Sequence, residues 1–360
     1  MRGGVVLALV LAAGVAAPPA RAAVDLLQRL EEKGIITAEE RTELAKEQGG
    51  TVTPSGKGIG LSWASEDGRF ATTLGGYGQL RYTFQDKDEA NNNSNFSVQR
   101  VRLGLNGHTF SKDLKYALSL DVYSGNQKTT VLEQYWVDYA PLPEAGLKAG
   151  QFKVPYGLQW NVSAASQQFV DRTTVDGNFR FDYDTGLVLH GKWFGGVLGY
   201  DAGVFNGEGK NQNNPDDKHL YVGRLTLQPL GKYANAESDT GRSGAPALLL
   251  GVGAVRDTAV SSHTRPNLNG RLTALGTSAV TSYNAFAGAK FLGASLQSEY
   301  HRRKIDPEAA GAAAETAVGF YAQGGYLVWG KTLEVAARYE YFDPNDDAGG
   351  DLKQQYGLGG

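Results

Sequence analysis

Arginine and lysine side chains recur at alternate positions in several segments of the chain. Arg100 and Arg102 lie two residues apart, and Arg81 occupies a matching polar position of the segment before them. Because residues two apart in a strand point to the same side, these three guanidinium groups are expected to share one face of a sheet. Guanidinium groups bind phosphate and carboxylate through two parallel hydrogen bonds. The spacing therefore indicates an anion-attracting surface, unless the three charges are paired with carboxylates on that face and have a structural role only.

Eight basic residues are candidates for lining a pore or binding anions. Most lie on the polar side of alternating segments, and one lies in a long irregular stretch: Arg81, Arg100, Arg102, Lys115, Lys153, Arg172, Lys192 and Arg224. The same alternation places acidic residues on the polar side, at Asp121, Glu133, Asp201, Glu299, Glu334 and Glu340. A pore wall rich in Arg and Lys lowers the barrier for anions, because its charges replace part of the lost hydration. Acidic residues opposite them reduce that preference.

The elements that must hold these residues are predicted to be strands that cross a membrane. From Phe70 onward the hydrophobic periodicity is 2, which favours half-buried strands over helices. In one such segment Leu114 and Leu118 fall on one side, and Lys115 and Asp121 on the other. Thirteen segments follow this pattern, each about ten residues long, which is the length of a tilted strand across a bilayer. The sequence predicts an all-β, transmembrane antiparallel up-and-down β-barrel; a soluble β-sandwich is the alternative.

The connections alternate between tight turns and longer polar loops, as they do in outer-membrane barrels. Tight turns are predicted at four places: 111–113, 194–196, 292–293 and 329–331. The connection 230–245 is long where a short turn is expected. The irregular stretch 158–180 is predicted to fold inward and constrict the lumen, with an outer surface loop as the alternative.

The two ends of the chain differ from this pattern. Residues 1–22 combine an N-terminal arginine, an apolar run and a small-residue cleavage site, which is typical of a secretory signal peptide. Residues 23–58 are predicted to form a periplasmic helical hairpin and linker, whose second helix begins with a capping box of Thr37 and Glu40. Residues 59–360 are predicted to form the barrel. Because the chain ends in the start of a fourteenth strand, the barrel is expected to be C-terminally incomplete by about two strands.

Composition argues against several other classes of protein. The 360 residues include no Cys and carry a net charge of −3, so neither a disulfide-stapled scaffold nor a strongly basic nucleic-acid-binding protein is indicated. No Gly-x-Ser-x-Gly or His-Glu-x-x-His motif occurs, and the five histidines are scattered. We therefore predict neither an enzyme nor a bound cofactor or metal ion.

Four short strings together resemble the phosphate-selective porin O and P family: QRVRLGLNG at 99–107, GQFKVPYG at 150–157, GVFNG at 203–207 and GRL at 223–225. The N-terminal string Leu-Leu-x-x-Leu-x-x-Lys-Gly-Ile-Ile-Thr is also similar to the front of many members. The resemblance implies a barrel of about sixteen strands, usually a homotrimer, with an inward-folded third loop and basic residues that lead anions to a constriction. It further implies that Arg100 and Arg102 lie on the family's arginine-bearing second strand, and that Lys153 belongs to its Gly-Gln-Phe-Lys motif.

The function predicted from these features is passive diffusion of small hydrophilic solutes through an outer-membrane porin, with phosphate, polyphosphate or other anions favoured. The predicted partners are small anionic solutes, outer-membrane lipid and lipopolysaccharide, and further copies of the chain in a homotrimer; no nucleic acid is expected. One alternative is a barrel that serves as a scaffold or sheath for a partner protein or a surface polysaccharide. Another is a barrel hydrolase, which requires a Ser, a His and an acid converging on one rim.

Overall fold

The computed structural model of the chain describes residues 6–7, 30–41, 51–54, 60–85, 93–124, 131–260 and 275–360. Apart from Val6 and Leu7, the predicted signal peptide lies outside the described residues, as does most of the predicted helical hairpin. Helical turns occur at 30–32 and 38–41, and the capping box between them is present. Glu40 accepts a hydrogen bond from the Thr37 backbone N–H (2.8 Å), and the Thr37 hydroxyl accepts one from the Glu40 N–H (3.1 Å). Among the described residues, no helix is long and apolar enough to cross a membrane.

The chain divides into two compact units, residues 1–139 and 140–360. The first unit holds β1 (Val6–Leu7), β2 (Thr51–Pro54), β3 (Gly60–Ala64), β4 (Ala71–Gln85), β5 (Asn93–Thr109), β6 (Ser111–Ser124) and most of β7 (Val131–Leu142). From β2 onward each strand pairs with the next in antiparallel fashion, and the two-residue β1 pairs with β4.

The second unit is an antiparallel sheet of ten strands among its described residues: β8 (Ala145–Lys153), β9 (Tyr183–Trp193), β10 (Leu198–Phe205), β11 (Leu220–Leu227), β12 (Ala247–Val260), β13 (Ser278–Phe291), β14 (Ala294–Pro307), β15 (Glu315–Trp329), β16 (Leu333–Asp343) and β17 (Lys353–Gly359). Every strand pairs with its sequence neighbour. The unit also contains helix α1 (Thr174–Phe179) and two 3-10 turns, Ala164–Ser166 and Phe194–Gly196.

All thirteen predicted strands are present as β4–β16, and β17 is the predicted start of a fourteenth. The strands β2 and β3 were missed: β2 occupies part of the stretch predicted as a linker, and β3 precedes Phe70. The predicted tight turn at 111–113 is wrong. The chain reverses one residue earlier, at Phe110, which has a φ of 61°, so β6 already begins at Ser111.

The two faces of the sheet have reversed polarity compared with a soluble protein. On β14, Leu296 and Tyr300 point outward and are 58% and 45% exposed, whereas Gln297 and Glu299 on the other face are each 2% exposed. On β13 the same alternation buries Ser282 and Asn284 and exposes Tyr283. Apolar side chains that face outward while polar ones are buried satisfy the conditions of a lipid environment rather than of water.

Two long connections of the second unit fold back onto the polar face of β12–β16. They are the β8–β9 connection, 154–182, and the β11–β12 connection, 228–246; hereafter they are called the first and second inward segments. Because connections alternate between the two ends of an up-and-down sheet, these segments start from opposite ends. The first packs Val175 and Phe179 against Tyr321 and Phe342. The prediction of an inward-folded stretch at 158–180 is therefore confirmed.

The second inward segment packs its Tyr233 into a cluster with Leu158, Leu249 and Phe286. A glycine on β13 permits this close approach: a Cβ atom at Gly288 would lie 2.6–3.0 Å from the Tyr233 side chain. The unexpectedly long connection 230–245 thus belongs to a segment that covers the polar face of the sheet.

Candidate functional site

Arg81, Arg100 and Arg102 share one face of β4 and β5, as the spacing predicted. Arg100 lies opposite Gln79 and Arg102 lies opposite Tyr77, with a register shift of one residue beyond Gln79. Because directly opposed residues share a face and Arg81 lies two residues from Gln79, all three arginines lie on the polar side. Arg102 also donates a hydrogen bond to the Tyr77 hydroxyl at 3.2 Å.

Arg102 is an ion-pairing residue rather than an accessible anion site. Its guanidinium contacts the Glu133 carboxylate and lies 3.7 Å from that of Asp121. Both acids are buried, at 3% exposure, so they depend on Arg102 for compensation. The structural alternative considered from the sequence therefore holds for Arg102. Arg81 and Arg100 are partly exposed.

Lys115 lies on β6, on the polar side and well exposed. Its neighbours across the ladder are His108 on β5 and Asp138 on β7. This position keeps the lysine charge in contact with solvent, as expected for a residue that lines a pore.

Three groups on the polar face of the second unit hold the first inward segment. The Glu299 carboxylate accepts hydrogen bonds from the backbone N–H groups of Leu158 (2.7 Å) and Gln159 (2.6 Å). Arg303 donates to the carbonyl oxygens of Asn178 and Phe179, the last residues of α1. At the start of the same helix, the Glu340 carboxylate accepts the Thr174 N–H. These residues satisfy backbone groups that an irregular segment would otherwise leave buried without partners.

Three cations surround a single indole ring in the first inward segment. The Lys153 ammonium lies 4.6 Å from the centroid of Trp160, and the guanidinium carbons of Arg172 and Arg180 lie at 4.9 and 4.6 Å. Such distances are those of cation–π contacts. Lys153 also donates to the carbonyl oxygens of Trp160 (2.6 Å) and Val162 (3.2 Å). It therefore faces the polar side and anchors the segment in addition to contributing charge.

The counter-ion of this group is Asp176 on α1. Its carboxylate lies 3.8 Å from Arg172 and 3.5 Å from Arg180. Burial raises the pKa of Asp176 above its ordinary value, although both arginines oppose that shift. The buried Asp176 carboxylate therefore pairs with two of the three cations.

Lys192 and Arg224 come together on the wall formed by β9, β10 and β11. Arg224 pairs across the ladder with Asp201, and the two side chains form an ion pair of 3.6 Å. Both bases line one pocket together with Leu158 of the first inward segment and Tyr233 of the second. Alternation had placed these residues on the polar side, but no pattern of residues indicated that they share a pocket.

The two inward segments are joined by Glu237, which the sequence analysis did not single out. Its carboxylate accepts hydrogen bonds from the side chain of Gln159 (2.9 Å), the backbone of Gln168 (2.8 Å) and the side chain of Gln323 on β15 (3.0 Å). Glu237 lies in a predicted loop with no periodicity, so only its buried position reveals this role. Arg180 and Arg303 were likewise outside the predicted set.

Within the described ranges, no three His, Asp or Glu side chains converge in a way that could hold a metal ion. What the residues form is a continuous antiparallel sheet in each unit, apolar on one side, with charged side chains and inward segments on the other. That arrangement defines the class of outer-membrane β-barrel porins.

Comparison with known proteins supports this class of protein and identifies a family within it. The family model described as "Phosphate-selective porin O and P" matches residues 70–360, and the chain belongs to that family. A protein of Aquifex aeolicus (strain VF5), described only as uncharacterized, is 26% identical over 89% of this chain and 80% of its own length. The predicted family resemblance and the predicted all-β barrel class are confirmed.

Solved outer-membrane proteins are also similar to the chain at low sequence identity. OmpT of Vibrio cholerae, in a structure titled as its trimer form, is 14% identical, with 79% of this chain and 78% of that chain covered and a TM-score of 0.49. OpdK of Pseudomonas aeruginosa, solved with vanillate, is 11% identical, with coverage of 83% and 80% and a TM-score of 0.41. OprB of Pseudomonas putida is 12% identical, with coverage of 89% and 95% and a TM-score of 0.41.

Proposed function

We propose that this porin passes small hydrophilic anions in preference to cations by passive diffusion, with phosphate, polyphosphate or other anions as its solutes. The observation that carries the proposal is a separation of charge by burial on the polar faces of both units. Five acids on these faces are buried, Asp121, Glu133, Glu237, Glu299 and Glu340, whereas Asp138, Asp201 and Glu334 are partly exposed and most of the bases keep some exposed surface.

In the first unit the buried acids are Asp121 and Glu133, and both contact Arg102. Arg81, Arg100 and Lys115 on the same face are accessible. Because Arg102 compensates the two buried acids, the accessible charges on this face are three bases and one partly exposed acid, Asp138.

The polar face of the second unit also combines buried acids with more accessible bases. Glu237, Glu299 and Glu340 are buried and accept hydrogen bonds from the inward segments or the sheet. Among the bases, Lys192 is exposed and Lys153 and Arg180 are partly exposed, whereas Arg172, Arg224 and Arg338 pair with carboxylates and keep only 11%, 15% and 12% of their side chains exposed. Accessible cations replace part of the hydration of a passing anion and repel cations at short range.

The test is the reversal potential of single channels formed by the full chain in a planar bilayer under a potassium chloride gradient. We expect the sign of an anion-selective channel and a smaller current when phosphate is added. The variant Arg81→Gln/Arg100→Gln should shift the reversal potential toward that of an unselective pore. The control Arg302→Gln removes one positive charge from an exposed position on the outward face of β14 and should leave the reversal potential unchanged. A cation-selective reversal potential would contradict the proposal, and the absence of any current would favour a scaffold or sheath.

The setting proposed for this channel is a homotrimer in outer-membrane lipid and lipopolysaccharide, reached after removal of residues 1–22. The exposed apolar side chains of the outward face, such as Leu189 and Val252, support contact with lipid. Light scattering of the detergent-solubilised protein should give three chains per particle, and mass spectrometry should place the mature N-terminus after Ala22. A monomeric mass or a retained leader would contradict the corresponding statement.

A further inference from the structure

The wall of β9–β12 contains a pocket that is a candidate binding site. It has a volume of about 340 Å³ and is lined by the strands and by both inward segments. Small-molecule sites usually have volumes of a few hundred Å³ and combine apolar walls with a few placed polar groups. The pocket has a volume in this range, and its lining combines apolar side chains with a few polar and charged groups.

The charges of the pocket leave one uncompensated positive charge. Lys192 and Arg224 are basic and Asp201 is acidic, and Asp201 pairs with Arg224 at 3.6 Å. Arg224 keeps only 15% of its side chain exposed, whereas Lys192 is well exposed at the pocket rim. A site with one surplus positive charge matches a monoanion better than a dianion such as inorganic phosphate.

The rest of the lining is suited to the body of an organic molecule. Leu158, Leu249 and Tyr233 line the pocket and form an apolar cluster with Phe286. The Arg224 guanidinium carbon lies 5.2 Å from the centroid of the Phe286 ring, which fixes its plane beside this apolar surface. Leu158, Leu249 and Tyr233 keep only 2%, 5% and 7% of their surface exposed, and an aromatic or aliphatic body would cover this small apolar patch, which an inorganic ion would not.

The two inward segments make this wall a built feature rather than a chance hollow. The Tyr233 backbone N–H donates to the Gln228 side chain at 2.8 Å, and the Lys290 ammonium lies 4.6 Å from the centroid of the Tyr233 ring. The Asn235 side chain donates to the carbonyl oxygen of Asn161 in the first inward segment at 3.3 Å. Tyr233 is therefore held in place before any solute arrives, which reduces the entropy cost of binding.

We propose that this pocket is a binding subsite for small organic monocarboxylates with an apolar or ring-shaped body. In this arrangement Lys192 and Arg224 face the carboxylate, and Tyr233, Leu158 and Leu249 face the body. The proposal rests on the proposed function, since the solute must first be admitted as an anion.

The test is equilibrium dialysis of benzoate against the detergent-solubilised full chain, which does not depend on conduction. We expect saturable binding in the millimolar range, weakened roughly tenfold in Lys192→Gln, the change produced by losing one charge-assisted contact. The double variant Asp201→Asn/Arg224→Gln keeps the net charge of the pocket and should weaken binding as well. Benzyl alcohol, a neutral molecule of similar shape, should compete poorly.

The matched control is Lys331→Gln, which removes an exposed lysine from the β15–β16 turn at the same end of the sheet, outside the pocket. Benzoate binding should be unchanged in this control. No saturable binding, equal effects of Lys192→Gln and Lys331→Gln, or equally strong competition by inorganic phosphate would each overturn the subsite. If the reversal potential shows anion preference while benzoate fails to bind, only the subsite is wrong. If binding depends on Lys192 while the channel shows no anion preference, the subsite stands and the proposed selectivity is wrong.

Discussion

Replacing Glu299 by glutamine should loosen the first inward segment without removing a side chain from the sheet. In the native protein the carboxylate accepts hydrogen bonds from Leu158 N–H (2.7 Å), Gln159 N–H (2.6 Å) and the Tyr321 hydroxyl (2.8 Å). A glutamine amide keeps one accepting oxygen, but its NH₂ group faces a donor. Hydrogen bonds to a charged group contribute more than neutral ones, and a buried donor without an acceptor adds a desolvation penalty, so we expect a cost of roughly 2–4 kcal/mol.

Hydrogen exchange measures this cost directly, because amide protection reports the free energy of local opening. A loss of roughly 2–4 kcal/mol corresponds to about 30-fold to 1,000-fold faster exchange. Mass spectrometry of the full chain in nanodiscs should show this acceleration in peptides that contain Leu158 and Gln159. We also expect larger fluctuations of the single-channel current, since the segment covers the polar face along which solutes are proposed to pass.

The control is Ser298→Ala on the same strand. Its hydroxyl donates to the Tyr321 carbonyl at 2.8 Å, on the opposite face from Glu299, and it does not touch the inward segment. Two results would refute the role of Glu299 as an acceptor that holds the first inward segment. One is a change in the exchange rate of this segment of less than about threefold in Glu299→Gln. The other is an equal change in Ser298→Ala.

Three further predictions follow from buried charge and close packing. Arg102→Gln should lower the free energy of unfolding by roughly 3–5 kcal/mol, since it removes the cation that contacts two buried carboxylates. Denaturation should show a much smaller effect for Arg100→Gln. Similar effects of the two variants would contradict the ion-pair assignment. Because burial raises the pKa of Asp176, this carboxyl takes up a proton at a pH where an exposed carboxyl stays charged. Lowering the pH should therefore increase the anion-to-cation permeability ratio and hold the first inward segment more firmly. The variant Asp176→Asn should show the higher ratio at pH 7 already, and a pH profile unchanged from that of the native protein would exclude Asp176 as the source of the pH dependence. Gly288→Ala should displace Tyr233, since the added Cβ would lie 2.6–3.0 Å from its side chain, and hydrogen exchange in 228–246 should accelerate; native-like protection would show that the segment adapts.

Alternation was sufficient to predict the strands and the side to which each residue points. Residues such as Gln297 and Glu299 differ from Leu296 and Tyr300 by one position, and the structure places them on opposite faces as the pattern required. A period of two is a local property of an extended chain, so it can be read without knowledge of partners. Thr51–Pro54 and Gly60–Ala64 were missed because such short stretches show too few alternations to stand out.

Pairing between charges could not be predicted in the same way. Arg100 and Arg102 have the same residue type, spacing and face, yet Arg102 contacts Glu133 and Asp121 while Arg100 lies opposite Gln79. The difference depends on the register of β5 and β6, where Arg102 lies opposite Asp121 and Arg100 lies opposite Ser124, with a register shift between Val101 and Arg102.

The sequence by itself determined the class of protein and the face on which most strand side chains lie, because strand periodicity is encoded residue by residue. Only the tertiary structure decided which charges stay accessible. The Glu237 and Glu299 carboxylates accept hydrogen bonds from backbone N–H groups that are distant in the sequence. Lys192 and Arg224 line a pocket to which both inward segments contribute. Burial and hydrogen bonding between distant residues depend on how the chain folds back on its sheet, and no local pattern of residues specifies that.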